Sequence, residues 1–178
     1  MNILIVAHVR CGGQYFNRFL SEKYNLEFIH EPRRNIKWGH HYHNSCVKIC
    51  IHHHDMKDVV EFSKKFDYVF LLSRKNTLEH LQSCIALYRN TTKKNKGNWH
   101  TNWIWDDSMW LDKKWVNLAE EGIDDLNKNL QKLSKLLDTE IIMYEDLYYN
   151  TESVNLKGLE FKPDTNRKLR KIKERKIF

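Results

Sequence analysis

Asn2 to Leu20 reads NILIVAHVRCGGQYFNRFL. Ile3, Leu4, Ile5, Val6 and Ala7 form a short, branched apolar run, the pattern of a parallel-sheet strand buried on both faces. The run breaks at His8-Val9-Arg10-Cys11-Gly12-Gly13. The apolar period then lengthens to about 3.6, with Tyr15, Phe16, Phe19 and Leu20 recurring on one helical face. A strand, a glycine turn and a helix start gather unpaired backbone N–H groups around one point, with the positive helix end behind them. That arrangement suits an anion, phosphate above all. Two glycines also serve simply to turn a chain. Position favours the ligand reading, because open parallel sheets bind ligands at the carboxyl ends of their strands.

The loop is not that of a triphosphate hydrolase. The pattern G-x-x-x-x-G-K-[ST] supplies a lysine and a magnesium-binding hydroxyl, whereas Gly12-Gly13 is followed by Gln14 and Tyr15. Arg10 precedes the glycines instead, and a cation there can neutralise an oxyanion without a metal ion.

Length and composition narrow the remaining choices. The 178 residues suit one domain, 1–178, with a real core. No apolar stretch approaches the roughly twenty residues that span a bilayer. The N-terminal apolar run is too short for a secretory signal, so a cytoplasmic location is expected. Cys11, Cys46, Cys50 and Cys84 lie in or beside apolar segments and read as free thiols. Of the formal net charge of +7, the tail 162–178 carries most, with eight Lys/Arg against two Asp/Glu. A nearly neutral body with a basic tail argues against stable nucleic-acid binding. It favours a small anionic ligand, with peripheral membrane or polyanion contact through the tail.

Further strands are expected at Leu26–Ile29, Cys46–Ile51, Tyr68–Leu72 and Thr139–Met143. Helices are expected from Asp55, from Asn76 to about Arg89, and from Asp112 through Leu137, with a short one around Asn155. Between Asn90 and Trp110, the four tryptophans Trp99, Trp103, Trp105 and Trp110 read as a lid or sugar platform, or equally as a segment anchored by aromatic weight. Alternating strands and helices specify a three-layer α/β domain with a central, mainly parallel sheet. Arg10, Glu31, His52, Arg74 and Glu145 then fall on one sheet edge. Two arginines at neighbouring strand ends suit a ligand with phosphates at two separated places.

With these residues in view, the chain resembles small sulfotransferases that use 3′-phosphoadenosine 5′-phosphosulfate. Val9, Arg10, Cys11, Gly12, Gly13 and Gln14 match the family's Pro-Arg-Ser-Gly-Ser/Thr-Thr loop, which wraps the 5′-phosphosulfate. Arg74 and Ser83, after the strand in FDYVFLLSRKNTLEHLQS, match the pair that grips the 3′-phosphate. Glu31-Pro32 and Tyr144-Glu145-Asp146-Leu147 match landmarks of the bacterial glycolipid and nodulation-factor branch. Val9, Cys11 and Gln14 depart from the usual proline, serine and hydroxyl residue.

The resemblance implies a P-loop-like sulfotransferase fold and transfer of a sulfuryl group to a carbohydrate or glycolipid hydroxyl, without a metal. Arg10 and the N–H groups from Cys11 to Tyr15 would hold the 5′-phosphate. Glu31 is the first choice for the base, with His30, His8 and His52 as competitors; it would adjoin the Val9–Gly13 turn if the first two strands are sheet neighbours. Lys48 matches a lysine of the family's third strand. Other readings are a P-loop nucleotide or polynucleotide kinase, a zinc module using Cys46, Cys50, His52 or His54, and a non-enzymatic anion-binding or nucleic-acid-binding protein.

Overall fold

In the computed structural model, residues 1–32, 42–92, 107–149 and 153–162 are described. The first strand, β1 (Ile3–Ala7), is fully buried along its length, as its unbroken apolar run requires. It leads through Gly12 into α1 (Gly13–Tyr24). Strands β2 (Glu27–His30) and β3 (Ser45–Cys50) follow, then α2 (Met56–Ser63), β4 (Tyr68–Ser73) and α3 (Thr77–Thr92). The long helix α4 (Lys113–Leu137), β5 (Ile141–Met143) and α5 (Tyr144–Tyr148) complete the main layers. The five strands run in the order β2-β3-β1-β4-β5. All four pairings are parallel, with Ile5 opposite Lys48 and Phe70.

Side chains alternate across the sheet. On one side Ile3, Ile5 and Ala7 pack with Phe16 and Leu20 of α1 and with Leu147 of α5. On the other, Leu4 and Val6 pack with Val59 and Phe62 of α2 and Leu126, Leu130 and Leu133 of α4. A third cluster joins α3 to α4 through Cys84, Ile85, Ala119 and Ile123. Helix α3 therefore rests on α4, close to the sheet edge where β1 and β4 end. No helix among the described residues is long and apolar enough to cross a membrane.

Two expectations are corrected. The segment around Asn155 is an antiparallel hairpin of β6 (Val154–Leu156) and β7 (Leu159–Phe161), not a helix. Lys157 and Gly158 take φ of 52° and 86°, the left-handed pair of a tight hairpin turn, and Asn155 Oδ1 accepts the Gly158 N–H at 2.8 Å. Leu159 and Phe161 alternate inward, and Phe161 meets Phe19 edge-on with ring centroids 4.7 Å apart. Strands β1 and β2 are not neighbours either, because β3 lies between them.

The tryptophan-rich stretch over 93–106, Arg33 to His41, and the tail beyond Lys162 lie outside the described residues.

Candidate functional site

Because the sheet is wholly parallel, the residues that follow β1, β2, β3, β4 and β5 share its C-terminal edge. Arg10, Glu31, His52, Arg74 and Glu145 accordingly converge there. The loop after β1 carries left-handed residues at Arg10 (φ 67°) and Gly12 (φ 74°). Gly12 is the N-cap of α1 and so offers no capping side chain, and the first turn holds no acidic residue. The N–H groups of Gly13, Gln14 and Tyr15 belong to that turn and precede the first helical bond, Phe16 N to Gly12 O at 3.1 Å. They are donors without an intrahelical acceptor, at the positive end of a helix.

Gly12 is held from above by α5. Tyr148 donates its hydroxyl to Gly12 O at 2.9 Å. A Cβ at Gly12 would lie 2.7 Å from Tyr144 Cε2 and 2.8 Å from Tyr148 Cε2, so only glycine fits both the space and the φ. At Gly13 a Cβ would come within 3.0 Å of Ala7 Cβ and 3.3 Å of Lys48 Cε. The glycine pair thus lets the loop settle onto the β1 end and onto the Lys48 stem. Cys11 contributes its backbone to the loop while its thiol is buried inward.

Arg10 turns towards α3, where its Nε donates to Ser83 Oγ at 2.8 Å. Burial, with added repulsion from Arg74, lowers the Arg10 pKa. Ser83, expected beside Arg74, is therefore joined directly to Arg10. Arg74 has other partners. Its Nη2 donates to Glu79 Oε2 at 2.8 Å, its Nε lies 3.6 Å from Glu145 Oε1, and its guanidinium sits 4.5 Å from the Tyr144 ring centroid. Glu145 also accepts the N–H groups of Lys75 and Asn76, at 2.7 and 3.1 Å, which fixes the turn from β4 into α3.

Glu31 reaches the loop through β3 rather than directly. Lys48, 4% exposed, donates to Glu31 Oε1, and its Nζ lies 2.8 Å from Cys50 Sγ. Cys50 in turn donates to Glu31 Oε1 at 2.8 Å. Burial alone would raise the Glu31 pKa, but the Lys48 charge and the bonds from Cys50 and Lys48 outweigh it and hold it at about 2. Burial likewise works against the Lys48 ammonium, and its partners Cys50 and Glu31 reverse the effect, raising its pKa. Burial pushes the Cys50 thiol up to about 12, so it stays protonated.

The strand-end rule puts Arg10, Glu31, His52, Arg74 and Glu145 on one sheet edge, as the parallel strand order does. It missed Glu79, Tyr148 and His80. For the tyrosine a signal existed in the i, i+4 pair of YEDLY, which puts Tyr144 and Tyr148 on one face of a short helix. The fold gathers the uncapped start of α1 and two arginines at one sheet edge, with the Lys48 stem packed beside Gly13. No family model, curated protein or solved structure matches the chain.

Proposed function

We propose that the chain is a sulfotransferase that moves a sulfuryl group from 3′-phosphoadenosine 5′-phosphosulfate to a carbohydrate or glycolipid hydroxyl, on a P-loop-like sulfotransferase fold. The observation that carries this reading is the junction of the uncapped α1 start with Arg10 and Ser83, flanked by Lys48 and Arg74. The first-turn N–H groups and Arg10 take the 5′-phosphate, and Gln14 adds an amide donor where the family has a hydroxyl. Arg74 takes the 3′-phosphate in exchange for its contact with Glu79, and Ser83 completes that end.

In the transfer itself the acceptor oxygen forms a bond to sulfur as the bridge S–O bond breaks. The acceptor proton passes to a base, and 3′-phosphoadenosine 5′-phosphate leaves. Charge accumulates on the bridge oxygen, where Lys48 and Arg10 stabilise it. Lys48 also governs Glu31. A carboxylate held at about 2 is a weak base at neutral pH. When the bridge oxygen draws the ammonium away, the charge that depresses Glu31 is withdrawn and its basicity returns. Glu31 is then the base, activated by the developing charge.

The deciding experiment is thermal denaturation with 3′-phosphoadenosine 5′-phosphate or adenosine 5′-phosphate, with no added divalent metal. A ligand that binds only the native state raises the midpoint. The bisphosphate is expected to give the larger shift, and Arg74→Ala to abolish the difference. Equal shifts in the wild type would remove the 3′-phosphate assignment. In a separate arm with magnesium and adenosine triphosphate, a response confined to that complex would favour the kinase reading.

A further inference from the structure

We infer that His8, Cys11 and His80 bind a thiophilic divalent cation, with zinc the best match, beneath the loop that follows β1. The inference stands apart from the identity of the donor. His8 and Cys11 form a His-x-x-Cys step on the turn leaving β1, where the Cys11 N–H approaches His8 O at 3.5 Å. His80 enters from α3. His8 Nδ1 lies 2.9 Å from His80 Nε2, and Cys11 Sγ lies 3.7 Å from the same nitrogen. One donor atom from each of the three residues lies within 4.8 Å of the others, and all three residues are buried.

These separations match a metal's needs. Tetrahedral zinc, bonded at about 2.0–2.1 Å to nitrogen and about 2.3 Å to sulfur, sets two nitrogen ligands about 3.3 Å apart and nitrogen from sulfur about 3.6 Å apart. The His8–His80 and Cys11–His80 separations lie within a few tenths of an ångström of that geometry. Three protein donors leave a fourth position for a small ligand.

Protons alone serve the cluster poorly. His80 Nε2 also lies 3.1 Å from Val9 O. A neutral imidazole carries one N–H. If Nε2 bears it, the proton is divided between His8 Nδ1 and the carbonyl. A cation accepts the lone pairs of His8 Nδ1 and His80 Nε2, which otherwise share one proton. The two imidazoles would bind as neutral ligands and Cys11 as the thiolate, so binding releases one proton.

A second group, Cys50, His52 and His53, also has donor atoms within 4.8 Å. It is less suited, because Cys50 Sγ already faces the Lys48 ammonium at 2.8 Å and both histidines are exposed. At His8, Cys11 and His80, by contrast, the ion would tie the β1 loop to α3 one turn before Ser83. It would fix the frame in which Arg10 meets Ser83, outside any bond-breaking step.

The test is a cobalt titration of the purified full chain, followed by gel filtration. About one equivalent is expected to be retained, with a near-ultraviolet thiolate-to-cobalt band and tetrahedral ligand-field bands, all displaced by zinc. Cys11→Ser should lose the thiolate band, and His80→Gln should weaken cobalt binding at least about 10-fold. Cys84→Ser and Cys50→Ser should keep both signatures. The wild-type titration alone overturns the inference if no cobalt is retained or no thiolate band appears. A band that survives Cys11→Ser but disappears in Cys50→Ser overturns it as well. If Cys11→Ser does not fold, His8→Gln takes its place, and retention of wild-type affinity there is equally fatal.

Discussion

Arg10 Nε donates to Ser83 Oγ at 2.8 Å, so the loop after β1 is bonded to α3 across 73 residues of sequence. Arg10 is only partly buried and takes a left-handed φ of 67°. Hydrogen bonds to charged groups contribute more than neutral ones, and a stranded buried donor costs more still. Ser83→Ala is expected to lower stability by about 1–2 kcal/mol in urea denaturation. A double-mutant cycle with Arg10→Ala should show coupling. Strict additivity of the two substitutions would mean that the bond contributes nothing.

The demand for glycine at position 12 is tested against a second glycine. Gly12 and Gly158 both have left-handed φ, at 74° and 86°, but a Cβ at Gly158 meets nothing within 4 Å. Gly158→Ala therefore reports backbone strain alone, about 1–2 kcal/mol. Gly12→Ala adds collision with the Tyr144 and Tyr148 rings and is expected to cost about 1–3 kcal/mol more. It should also weaken anion binding, because relief requires α5 to retreat from the loop. Equal losses for the two variants would show that the rings yield freely.

Much of the frame was legible because burial on both faces leaves a plain mark. Ile3–Ala7 and Tyr68–Leu72 are continuous apolar runs, and each is a central strand. Asn76, read as a helix start, does accept the Glu79 N–H through its side chain at 3.0 Å. Strand order was not legible, since nothing local in Leu26–Ile29 says that β3 will lie between it and β1. Lys48 was ambiguous for a related reason. Alternation allows either face, and the choice depends on Glu31, which arrives from β2. The hairpin at Val154–Phe161 was missed because strands of three residues carry too little period to outweigh a helical reading. His80 left no mark at all; a lone histidine on a helix gains meaning only once the fold brings it to His8 and Cys11.

The Lys48–Glu31 pair makes a prediction about acid. Glu31 is held at about 2 against an ordinary 4.5, with burial opposing the shift and Lys48 and Cys50 producing it. A carboxyl whose folded pKa is depressed adds stability above its unfolded pKa and loses it as pH falls through the folded one. The window here runs from about pH 4.5 down to about 2. Glu31→Gln should flatten the fall in unfolding free energy over that window, as measured by denaturant titration at stepped pH. At neutral pH it should also destabilise, because it strands the buried Lys48 ammonium. Exposure of the Glu31 side chain at 37% moderates that loss through solvent screening. An acid limb identical to that of the wild type would show that the pair is not linked to folding.

The last prediction concerns turnover and separates a base from a positioning group. Glu31 touches Lys48 and Cys50 of β3, the strand that separates β2 from the one leading to Arg10. If Glu31 takes the acceptor proton only after Lys48 is drawn to the leaving oxygen, donor binding should scarcely need it. Glu31→Gln keeps shape and hydrogen-bonding capacity but loses basicity, so the single-turnover rate should fall on the order of 10²-fold or more while donor affinity is kept. Lys48→Met should behave differently: the rate falls too, but the pH at which the remaining activity rises should move towards that of an ordinary carboxylate, since the charge depressing Glu31 is gone. Rates against pH at saturating acceptor for the wild type and both variants give the comparison. A Glu31→Gln enzyme with a near wild-type rate and an unchanged profile would exclude Glu31 as the base, and His30, whose Nε2 lies 3.7 Å from Glu31 Oε1, would be tested next.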